Sequence, residues 1–114
     1  MFLNPFGGRI FVIARPKLGV LEHVGILFSD DSVLHCTPEH GTHRSSAEEF
    51  AQGQDVRIVR EIPPELHWTL LQRAYWIEMN PQRYDFINFN CYHLVNWLTG
   101  QQQPAALVNR PLQS

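Results

Sequence analysis

The chain has 114 residues, a formal net charge of -2 and two cysteines, a length that fits one domain around a single core. With 9 Lys and Arg against 11 Asp and Glu, no basic surplus exists to recruit nucleic acid or an anionic membrane. Met1 to Pro5 has no basic leader and no apolar run approaches the roughly 18 residues of a membrane span, so a soluble cytoplasmic protein with reduced thiols is expected.

Arg9 to Ala14 is short, β-branched and aromatic, bounded by Gly7-Gly8 and Pro16, and reads as a buried strand. Pro16 to Leu21 reads as a connecting loop, Glu22 to Phe28 as a second strand and Ser32 to Cys36 as a third. Ser29-Asp30-Asp31 supplies turn residues between the last two. A three-residue hairpin loop there sets Phe28 opposite Ser32 and Gly25 opposite His35. Val24, Ile26 and Phe28 then share an apolar face with Leu34 and Cys36, while His23, Gly25 and His35 share the other. The two histidines become diagonal neighbours, within reach of a common group, and Gly25 leaves space between them. A two-residue loop would put them on opposite faces. The three-residue register separates polar from apolar better and is preferred.

Thr37 to Ser45 reads as a polar loop holding His40 and His43. Ser46-Ala47-Glu48-Glu49 matches a capping box for a short helix through Phe50 and Ala51 that ends at Gly53. Asp55 to Arg60 is another strand, with Arg57 and Arg60 facing solvent. Pro63-Pro64 starts a longer helix through about Met79, with Leu66, Leu70, Ala74, Trp76 and Ile77 forming its apolar face. Trp68, Trp76 and Trp97 are expected to serve core or groove packing. The Gln-rich tail 101–114 is expected to be loosely docked.

Asn90 is a preferred N-cap, Leu94, Val95 and Leu98 follow at helical spacing, and Gly100 marks the stop. Cys91 therefore falls in a first helical turn, where unpaired N–H groups and the helix dipole favour a thiolate. A cysteine so placed is a candidate nucleophile if the fold supplies an imidazole base; the plainer alternative is a buried core thiol. His93 lies two residues on and points away from Cys91 on a helix, which favours a structural role. His35, Cys36, His40 and His43 carry ligand atoms for zinc, but a strand turns His35 and Cys36 to opposite faces and no second Cys pair exists. No metal and no cofactor is expected.

His23-Val24-Gly25-Ile26, His35 twelve positions later, and Asn90-Cys91-Tyr92-His93-Leu94 together resemble the lecithin:retinol-acyltransferase-like branch of the permuted papain-like (NlpC-related) superfamily. The resemblance runs from about Gly8 to Gly100. It implies an α+β fold, an antiparallel sheet packed against a helix with the nucleophilic cysteine at its N-terminus. It implies a single catalytic domain over 1–114, with its core at about 8–100. Carried over residue by residue, Cys91 is the nucleophile, His23 the general base and His35 the polar residue orienting it. The order His, His, Cys is the mark of circular permutation. Tyr92 stands where the family has an acidic residue, Leu94 where it has Phe, and Val24 where an aromatic residue is common. The implied function is a thiol hydrolase or acyltransferase, peptidase- or amidase-like, that cleaves an amide, peptide, ester or thioester bond. Its partner would be a small-molecule, peptide or acylated substrate. The alternative is a non-catalytic binding module on a degenerate papain-like scaffold.

Overall fold

The computed structural model describes residues 8–87 and 89–100. Strands β1 (Phe11–Leu18), β2 (Leu21–Leu27), β3 (Ser32–Thr37) and β4 (Gly41–Ser46) form a meander, followed by helix α1 (Ala47–Ala51) and strand β5 (Arg57–Glu61). A 3-10 turn, Pro64–Leu66, leads into α2 (His67–Met79), and α3 spans Cys91–Thr99. The sheet is antiparallel with strand order β4-β3-β2-β1-β5, so β2 is central. The expected α+β fold with an antiparallel sheet and packed helices is present. The loosely docked tail expected at 101–114 lies outside the described residues.

Strand alternation sorts the sheet into two faces. Val12, Ala14, Val24, Ile26, Leu34 and Cys36 join Leu70, Ala74, Ile77, Leu94, Val95 and Leu98 in the main core beneath α2 and α3. On the opposite face Ile13 and Val33 pack with Phe50 of α1 in a smaller cluster. The three-residue hairpin register holds: Ile26 pairs with Leu34 and Leu27 with Val33, and Phe28 N–H donates to the Ser32 carbonyl at 2.9 Å. Asp31 closes the loop at φ 66°, the left-handed residue such loops require.

Three expectations change. The first strand does not stop before Pro16 but continues to Leu18, its register slipping between Pro16 and Leu18. The expected loop 37–45 instead contains β4, paired with β3 from Ser32–Ser46 to Thr37–Gly41. Its sequence, Gly-Thr-His-Arg-Ser-Ser, carries no apolar alternation, so backbone pairing with β3 makes it a strand. Finally, α2 buries a narrow stripe of His67, Leu70, Ala74 and Ile77, leaving Trp76 51% exposed. Trp76 flanks that stripe and leans toward Trp97, with ring centroids 5.8 Å apart. Among the described residues, no helix is long and apolar enough to cross a membrane.

Candidate active site

Helix α3 begins as its sequence dictates. Asn90 Oδ1 accepts from the N–H groups of Tyr92 and His93 at 3.0 and 3.2 Å, and His93 Nδ1 accepts from Asn90 N–H at 3.0 Å. His93 is thus a capping residue, in keeping with the structural role read from its spacing. The Tyr92 hydroxyl donates to the Glu22 carbonyl at 2.6 Å, pinning the start of α3 to β2 beside His23.

Cys91 occupies the first turn and is 1% exposed, within the main core and against the backbone of Val24. The N–H groups of Val24, Cys91 and Tyr92, together with Lys17, favour its thiolate, yet burial outweighs them and pushes the thiol above its ordinary value. The sequence argument for an acidified thiol therefore identified real lowering influences but not the larger opposing one. Cys36 is also a buried free thiol, pushed up to about 11 by burial.

His23 and His35 project from the other face of the sheet, 3% and 4% exposed. His23 Nε2 and His35 Nδ1 are hydrogen-bonded at 2.8 Å, and His35 Nε2 bonds Ser45 Oγ at 2.8 Å. Phe50 stacks on His23 with centroids 5.2 Å apart and rings 25° from parallel, and meets His35 edge-on. The registered β2–β3 ladder covers only Ile26–Leu34 and Leu27–Val33. Past it, the imidazole–imidazole bond bridges the strands.

The expected apposition is partly realised. His23 and His35 meet directly, closer than shared access to a common group would require. Cys91 reaches β2 at the backbone of Val24, the residue after His23. Its sulfur lies on the apolar, helix-side face rather than across a cleft from the polar side. Among the described residues, no hydrogen bond joins it to either ring.

Burial also sets the charge state of the pair. His23 is lowered to about 2 by desolvation, then by His35, Arg15, Lys17 and His43. His35 is lowered to about 3 by desolvation, then by His43, Arg15 and His40, with Glu49 opposing. Both rings are neutral near pH 7, the state a proton acceptor needs.

Gly25 makes the pairing sterically possible. A Cβ there would lie 2.8 Å from Val33 Cγ1, 3.1 Å from Phe50 Cε1 and 3.2 Å from His35 Cβ. Gly25→Ala is expected to cost about 1–3 kcal/mol through overpacking. Urea denaturation checks this, and a neutral substitution would show that Val33 and Phe50 yield freely.

Three neighbours of the pair escaped the sequence reading. Arg15, 8% exposed, donates from Nε to the Phe50 carbonyl at 2.5 Å and lies on the His23 side of β1. Phe50 was legible only as the end of a capped helix, and Ser45 only as capping chemistry. Recognising β4 as a strand would have found Ser45: pairing His35 with His43 and Val33 with Ser45 sets Ser45 diagonal to His35. Outside the pair, a groove of about 610 Å³ lined by His35, His40, His43, Ser45 and Glu49 opens along β4. Among the described residues, no group of three or more His, Cys, Asp or Glu side chains converges to hold a metal ion. Comparisons with protein-family models, curated proteins and solved structures found no match to this chain.

Proposed function

We propose that this protein is a cysteine hydrolase or acyltransferase of the permuted papain-like type, working through Cys91, His23 and His35. The observation that carries the reading is the 2.8 Å bond between two buried neutral imidazoles, one of them on the strand whose backbone also meets the thiol in the first turn of α3. The order and spacing of the three residues support it further.

With the thiol raised and His23 lowered, the resting pair is a neutral thiol and a neutral imidazole. His23 takes the thiol proton as the sulfur attacks the substrate carbonyl carbon. The carbonyl π electrons move to oxygen, where the Cys91 N–H would help hold the oxyanion, the Tyr92 and His93 N–H groups being given to Asn90. Collapse expels the leaving group, which takes the proton from His23 and leaves a thioester on Cys91. Water or an acceptor then gives its proton to His23 and attacks the thioester, releasing acid or acyl product and restoring the thiol. Catalytic contacts are often loose before substrate binds, so the reading requires the thiol and His23 to close on a bound acyl group.

An activated acyl ester, with mass spectrometry of the intact protein and its peptides, tests this. One acyl group is expected on Cys91, with Cys91→Ala losing it while retaining its fold. His23→Ala should slow acylation by about 10²–10⁴-fold, the usual contribution of a general base. Stoichiometric acylation of Cys91→Ala would eliminate the proposal. One observation favours a second reading, a binding module without catalysis: the thiol is sealed from solvent and disfavoured as thiolate. That reading predicts a folded wild-type protein in which Cys91 stays unacylated.

A further inference from the structure

Hydrogen-bond polarity gives β4 a specific task. Each neutral imidazole carries one N–H and one bare nitrogen, so a chain of such rings has a direction. Ser45 Oγ has the Ser46 carbonyl at 3.2 Å as an acceptor for its single proton, and with the proton there its lone pairs face His35. His35 Nε2 then holds the proton of the 2.8 Å bond to Ser45. His35 Nδ1 is consequently bare and accepts from His23 Nε2–H across 2.8 Å.

We infer that Ser45 is a positioning residue that fixes the tautomers of both histidines, leaving His23 Nδ1 as the one basic nitrogen of the relay. The inference rests on the proposed Cys91–His23 chemistry for its catalytic meaning, though not for the tautomers themselves. The reverse polarity would require Ser45 to give its proton to His35 and His35 to give its own to His23. His23 would then bear its proton on Nδ1, a buried donor to which the described residues offer no acceptor, an arrangement that costs the full desolvation of that N–H. It would also have no lone pair free to accept a thiol proton. His43, whose ring lies 4.4 Å from that of His35, does not compete for Ser45, because its Nδ1 donates to the Gly41 carbonyl at 2.9 Å.

The test is imidazole ¹⁵N–¹H correlation spectroscopy on the full chain labelled at histidine, near pH 7.5, beside acylation kinetics. Wild type should show His23 and His35 both protonated at Nε2. Ser45→Ala should redistribute both tautomers and slow acylation roughly 5- to 100-fold, the range that corresponds to losing one buried hydrogen-bond partner. Ser45→Thr, which keeps the hydroxyl, should restore both. Wild-type His23 protonated at Nδ1 would overturn the inference, as would Ser45→Ala with unaltered tautomers. If Ser45→Ala fails to fold, the wild-type spectrum still decides. Nε2 protonation in a protein that never acylates Cys91 would uphold the tautomer assignment and remove the catalytic reading instead.

Discussion

Phe50→Ala is expected to remove about 3–5 kcal/mol of stability, the range for deleting a buried aromatic side chain, from a total of roughly 5–15 kcal/mol for a domain of ordinary stability. Phe50 is fully buried and belongs to a small cluster with Ile13 and Val33. Beyond that cluster and the half-buried Phe11, Leu27 and Ala47, its neighbours are the polar His23, His35 and Arg15, which close a cavity poorly. The five-residue α1 is far too short to persist alone. It is held by the reciprocal Ser46–Glu49 capping box, at 2.9 and 3.0 Å, and by Phe50. The same residue lends its carbonyl to Arg15 and its ring to both imidazoles, so the loss should extend to the His23–His35 bond. Urea denaturation with an unchanged m-value is the measurement. A loss below about 1 kcal/mol would mean the second face collapses around the gap and is not supported by Phe50.

Acid is expected to unfold the protein at a higher pH than its carboxylates alone would dictate. His23 and His35 fall from 6.5 in the unfolded chain to about 2 and about 3 in the folded one, both mainly by desolvation. Between pH 6.5 and about 3 the unfolded chain binds protons that the folded chain refuses. Stability is therefore complete above pH 6.5 and declines as the pH falls through that window. Two such groups give a slope of roughly 2.7 kcal/mol per pH unit once the unfolded state holds both protons. The charged and titratable groups facing the pair are Arg15 and Lys17 from β1, His43 and His40 from β4 and its turn, and Glu49 from α1. Only Glu49 opposes the lowering. Denaturant midpoints measured from pH 8 to pH 4 should trace this decline, and His23→Phe, which retains an aromatic ring against Phe50, should roughly halve it. A flat profile down to pH 4.5, or the same slope in His23→Phe, would show that the rings protonate in place.

How much could be read beforehand follows from which interactions are local. The His23–His35 pairing was legible because it depends on one short hairpin, where alternation of Val24, Ile26, Phe28, Leu34 and Cys36 fixed the register. The extent of α3 was legible because Asn90 and Gly100 are local start and stop signals, seen as an N-cap and as a left-handed C-cap at φ 65°. β4 was not, because its strand character lies in partner backbone rather than in its own side chains. The burial of Cys91 stood in the sequence reading only as the plainer alternative, for a related reason. Helix geometry and nearby N–H groups can be inferred from the chain, whereas the depth of burial depends on how α3 seats on β2 and β3. Trp76 shows the same limit, since periodicity alone does not fix how wide a helix face the sheet will cover.

The meander has a kinetic meaning as well. β1 to β4 are joined by tight turns, so the contacts among His23, His35 and Ser45 close only short stretches of chain and carry a small loop-closure penalty. Cys91 must return from the far end of the sequence, after β5 and α2, before it meets Val24. The imidazole pair is thus a near-neighbour feature of the polypeptide, whereas the contact of Cys91 with Val24 forms only through long-range assembly.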